Sequence, residues 1–193
     1  NPTYYQLLMI NFEKLEIKFK EYDSLREQLI KKSRDVLKLS KQLIYSVHRD
    51  ELGAAEELLN KIEEERKELD VIAVKQPKLV FEGSYKIAMQ EYAEAILYYN
   101  FVKTGELVAI DNISHEHFIL GLADVPGELV RKAVFLAGKG EVEQVGKIRD
   151  TVDMIYGKLL MFDFRENEIR RKVDAVKYDL RKLEDLVLDL KLK

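Results

Sequence analysis

Over 193 residues the chain carries only nine glycines and three prolines. These residues supply most sharp reversals of a backbone, so their scarcity predicts few and long elements. The spacing of apolar residues says which kind. Phe12, Leu15, Phe19, Tyr22, Leu29, Val36, Leu43 and Val47 recur at three, four or their multiples, which is the period of one helix face. No segment shows the alternation of a strand. An all-α bundle of about six or seven helices follows, forming one domain over residues 1–193.

The first helix is expected from about Tyr4 to His48. At 1.5 Å per residue it would run roughly 67 Å, longer than a compact domain of this size needs. Further helices are expected over about Leu52–Val74, Lys78–Lys103 (closed by Gly105), Ser114–Ala137 (interrupted at Pro126-Gly127) and Val142–Phe162. Asp163, with Glu166 three residues on, reads as the N-terminal cap of a last, long helix. Along that helix Ile169, Val173, Val176, Leu180, Leu183, Val187 and Leu190 alternate spacings of four and three. This is a heptad seam. It suits either a helix inside the bundle or one at a subunit contact.

Composition removes several classes of function. The net charge is −3 and the pI about 5.8, so the whole chain is no electrostatic magnet for nucleic acid, and any such binding needs a local basic patch or carboxylates that hold a cation. There is no cysteine, which excludes disulfides, thiolate metal sites and thiol catalysis, and fits a reducing cytoplasm. No apolar run reaches the length of a membrane span. No basic-then-apolar leader pattern opens the chain.

Four acidic residues stand out by their surroundings. Between Lys86 and Val102, twelve of 17 residues are hydrophobic, so that helix is expected to be buried nearly all round. It nevertheless carries Glu91 and Glu94, one turn apart. The stretch from Phe118 to Val130 is likewise apolar or small except for Asp124 and Glu128, four apart and on one helical face. Gly121 and Gly127 beside them would admit a close neighbour, and Pro126 is expected to kink the helix. A buried carboxylate is costly, and two together repel. A shared cation resolves both costs. If the two pairs face each other, they form an all-oxygen site suited to Mg2+ or Mn2+, able to activate water and to offset charge on a phosphate. The plainer reading pairs these acids with Arg131, Lys132 or Lys86. Lys86, at the start of the third helix, is a candidate phosphate contact. His48, His115 and His117 do not fall at the Glu-x-x-His spacing of a di-iron site and read as ordinary surface or partly buried residues.

Three stretches resemble the translin / translin-associated factor X family. Met89-Gln-Glu-Tyr-Ala-Glu-Ala, followed by Phe101-Val-Lys-Thr-Gly, looks like a segment of factor X. Gly121-Leu-Ala-Asp-Val-Pro-Gly-Glu-Leu-Val-Arg is similar to a second factor X motif, with Pro126 where that subunit has Thr. The run from Ile169 to Glu184 resembles the C-terminal helix of translin. The resemblance implies a bundle of about seven helices assembled into a hollow homo-octamer with nucleic acid inside. It implies endonuclease activity on single-stranded RNA, with single-stranded DNA as a further ligand. Carried over position by position, it makes Glu91, Glu94, Asp124 and Glu128 the metal-binding and catalytic set. Glu128 or Glu91 would orient the attacking water, and Arg131 and Lys86 would steady phosphates. The alternative is a translin-like shell that binds single-stranded nucleic acid without cleaving it.

Overall fold

A computed structural model describes residues 10–192. The described residues form six α-helices and one short 3₁₀ turn. Helix α1 spans Phe12–His48, and the part of the expected helix before Ile10 lies outside the described residues. Asn11 caps it, its side-chain oxygen accepting the Lys14 N–H at 2.9 Å. At Asp50, held at φ 58°, the chain reverses into α2, Leu52–Ala73.

The third helix starts later than its apolar pattern suggests. Pro77–Phe81 forms the 3₁₀ turn, Glu82 is extended, and α3 runs from Gly83 to Thr104. Pro77 accounts for the break, because it has no N–H to continue a helix from α2. Gly105, at φ 79°, ends α3 as expected, its N–H bonded to the Phe101 carbonyl at 2.7 Å. This is the left-handed cap that glycine adopts without strain.

Helix α4 spans His115–Gly138 without a break at Pro126. The expected interruption is absent because proline's fixed φ is helical, so the ring costs one hydrogen bond rather than the helix. Helix α5 covers Val142–Leu159 and stops short of Phe162. Helix α6 runs Asn167–Leu192, so Asp163 does not cap it. Residues 160–166 form the connection instead, with Phe162 and Phe164 stacked at 5.3 Å.

The packing order is α2–α1–α3–α4, with α5 and α6 closing on α4 and on each other. Helix α3 is the most enclosed: eleven of its residues are buried, from Ala88 to Phe101. The heptad seam of α6 is spent within the chain, since Ile169, Val173, Val176, Leu180, Leu183 and Val187 are all buried. The start of α1 differs from its expected role. Phe12, Leu15 and Phe19 are 72%, 59% and 65% exposed, and the first buried residue of that helix is Leu29. Among the described residues no helix is long and apolar enough to cross a membrane.

An acidic cavity between four helices

Helices α3 and α4 meet at Gly121. A Cβ placed there would stand 2.6 Å from Ala93 Cβ, 2.7 Å from the Gln90 carbonyl oxygen and 2.9 Å from Glu94 N. The two backbones are therefore in near contact, as only glycine permits. One turn beyond this point the polar residues of both helices open into one cavity of about 520 Å³. Helix α3 contributes Gln90, Glu91 and Glu94. Helix α4 contributes Asp124, Glu128 and Arg131. Helix α1 adds Lys41, Ile44 and Tyr45, and α6 adds Lys172. The two expected pairs, one on each helix, do face one another.

Each carboxylate has its own environment. Glu94 is the most enclosed, 8% exposed. Its carboxyl is pushed up to about 8, first by burial and then by the negative charges of Asp124, Glu91 and Glu128, against which Lys172 acts. Glu91 is raised by burial too, with Lys41 opposing and Asp124 adding to the shift, and Lys41 Nζ stands 3.7 Å away. Asp124 is gripped from two sides. Lys172 Nζ donates at 2.5 and 2.8 Å to its two oxygens, and Gln90 Nε2 donates at 2.6 Å. Glu128 is bonded by His48 Nε2, whose Nδ1 lies 3.0 Å from the Tyr98 hydroxyl.

Among the described residues no three His, Asp or Glu side chains are gathered closely enough to cage a metal as they stand. Lys172 supplies positive charge where the acids converge. The donor set nonetheless fits a hard divalent cation. It offers only oxygens, and the Glu94 carboxyl, raised first by burial and then by three neighbouring acids, is one whose charged form a cation would stabilise.

The other expected residues divide. Arg131 lines the cavity. Lys86 does not: it pairs with Glu116 at 3.4 Å. Lys132 is turned to Asp50, so of the three cations named as partners for the acids, neither of these two reaches them. His48 is partly buried, one of the two expected settings, but its side chain is only 7% exposed and bonds Glu128. His117 is buried and His115 exposed. Reading the sequence alone missed Gln90, Lys172, Lys41 and His48. Only Gln90 carried a signal, as a polar residue beside Glu91 in the same apolar helix.

A larger open groove of about 780 Å³ lies between α1 and α2 and joins the acidic cavity through Lys41 and Tyr45. Arg34, Lys38 and Lys61 line it as well.

The six-helix bundle is an architecture shared with solved C3PO structures. The structure superposes on apo-NeC3PO with a TM-score of 0.88 at 24% identity, covering 95% of this chain and 98% of that one. It matches AfC3PO in a complex with duplex RNA equally well, with a TM-score of 0.88, 24% identity and coverage of 95% and 97%. The sequence model of the Translin family matches residues 24–193, and the chain belongs to that family. Among relatives, an uncharacterized protein of Methanocaldococcus jannaschii is 31% identical over 83% of this chain and 73% of its own length. Translin-associated protein X of Pongo abelii is 23% identical over 86% of this chain and 72% of its own.

Proposed function

We propose that this protein is a metal-dependent endoribonuclease that binds and cleaves single-stranded RNA inside a hollow homo-oligomer. The observation that carries the reading is the convergence of Glu91, Glu94, Asp124 and Glu128 on one cavity, with the Glu94 carboxyl at about 8. Acids gathered in one enclosure around a raised carboxyl are a setting in which a bound cation can serve phosphoryl chemistry. The likeness to Translin-associated protein X agrees with the factor-X-like motifs from which the enzyme reading comes, and the duplex RNA held by AfC3PO supports RNA as the ligand class.

The four carboxylates would hold Mg2+ or Mn2+, which when bound polarises a phosphate oxygen and acidifies a water. The chain's own groups do the rest. Glu128, bonded by His48, or Glu91, beside Lys41, orients the attacking water and receives its proton. Arg131 presents a guanidinium to the phosphate. Gln90 holds Asp124 in place. The basic groove of Arg34, Lys38 and Lys61 leads a phosphate backbone toward Lys41 and the cavity, supplying the local patch that a chain of net charge −3 requires.

One observation favours the second reading, a binding shell without catalysis: Lys172 already neutralises Asp124, as a purely structural ion pair would. Cleavage of a labelled single-stranded RNA, with Mg2+ or Mn2+ against EDTA, separates the two. Metal-dependent products from the natural protein that vanish in Asp124→Ala and Glu94→Ala, both still folded, support the nuclease. Binding without products in every lane selects the shell, and unchanged cleavage by Asp124→Ala removes the assigned site.

A further inference from the structure

Behind the cavity, three side chains from three helices form a directed chain. Tyr98 on α3 is fully buried, and its hydroxyl lies 3.0 Å from Nδ1 of His48 at the end of α1. The rings lie 4.9 Å apart at 38°. His48 Nε2 bonds Oε2 of Glu128 on α4. Burial, followed by the charge of Glu128, pushes the Tyr98 phenol well above its ordinary value, with Arg131 opposing and Asp50 adding to the shift. With the Tyr98 hydroxyl donating to Nδ1, Nε2 carries the ring proton and aims it at the carboxylate.

We propose that His48, held in this single tautomer by Tyr98, is a positioning residue for Glu128. Its N–H fixes one carboxylate oxygen and leaves Oε1 to face the cavity, so that Glu128 meets a cation or a water in one orientation. An imidazole whose second nitrogen is fixed by a buried donor is the kind of outer support that sets ligand orientation at metal sites, where its loss costs about 10–100-fold in affinity or activity. The role in catalysis rests on the nuclease reading, whereas the tautomer and its hold on Glu128 do not.

Three measurements on the full chain test this. Long-range proton–nitrogen NMR reads the His48 tautomer directly: the Nε2–H form is expected in the natural protein, and a mixture in Tyr98→Phe, which keeps the ring and loses the donor. Calorimetry with Mn2+ is expected to show affinity falling about 10–100-fold in His48→Leu and recovering in part in His48→Gln, whose amide can donate to Glu128 again. If RNA is cleaved, kcat falls in His48→Leu while KM stays within about two-fold, because the residue touches no substrate. A dominant Nδ1–H tautomer in the natural protein overturns the proposal, and so does unchanged Mn2+ affinity in His48→Leu. A natural protein that neither binds Mn2+ nor cleaves RNA defeats the nuclease reading, and the tautomer then decides this proposal alone.

Discussion

A Cβ on Gly121 would stand 2.6 Å from the Cβ of Ala93, closer than two carbon atoms can rest. Two of the three atoms in its way belong to the α3 backbone, which cannot swing aside as a side chain can. Gly121→Ala must therefore push α3 and α4 apart and take Glu91 and Glu94 away from Asp124 and Glu128. A loss of about 1–3 kcal/mol is expected from such overpacking, read as a lower denaturant midpoint at unchanged slope. Gly146→Ala is the control: its site is open and lies inside a helix, so it should gain roughly 0.5–1 kcal/mol.

Metal-free stability should fall as pH rises from about 4.5 to about 8. Glu94 moves from an ordinary 4.5 in the unfolded chain to about 8 in the fold, surrounded by Asp124, Glu91, Glu128 and Lys172. A carboxyl raised in this way favours its protonated form. Its contribution is complete below 4.5 and is lost progressively as the pH climbs to 8, at ~1.4 kcal/mol per pH unit where the difference is full. Thermal melts of Glu94→Gln, which is neutral throughout, should lack this slope. Parallel pH curves for the two proteins would contradict the assignment.

If the acids hold a divalent cation as proposed, Lys172 would compete with it for Asp124. Removing the ammonium with Lys172→Met is expected to tighten Mn2+ binding several-fold in calorimetry and to lower the melting temperature of the metal-free protein, which loses its counter-charge. Weaker Mn2+ binding in that variant would mean that Lys172 supports the cation rather than standing in for it.

Reversing two charges in the groove, Arg34→Glu with Lys38→Glu, should weaken single-stranded RNA binding and flatten its dependence on salt by roughly two counterions. Mn2+ affinity should be unchanged, because neither residue lines the acidic cavity. Equal RNA affinity at low salt would remove this path for the backbone.

The acidic half of the site was legible in the sequence because a charge inside an otherwise apolar helix is costly and so conspicuous. Glu94 and Asp124 needed no partner to be noticed. Of the basic and imidazole half, only Arg131 was. Lys172 and Lys41 sit on helices full of other lysines, and nothing local separates one that turns inward from one in solvent. His48 closes a helix end, where a histidine is ordinary, and its distinction comes from Tyr98 and Glu128, far along the chain. Helix interiors followed their apolar period closely. Their starts did not: Glu82 and the 160–166 connection are extended or irregular although nearby residues resemble caps. The seam of α6 showed that a partner exists, and packing against α4 and α5 showed that the partner is in the same chain.

Lys172 belongs to the last helix, whereas every carboxylate it serves lies on α3 or α4. During synthesis the four acids, with Lys41 and Arg131, are in the chain before Lys172 is. A nascent bundle lacking α6 holds repelling carboxylates on its two closest helices and leaves the faces of α4 and α5 that α6 covers bare. Asp124 therefore gains its ion-pair partner from the same helix that covers those faces, so one element closes both the cavity and the core.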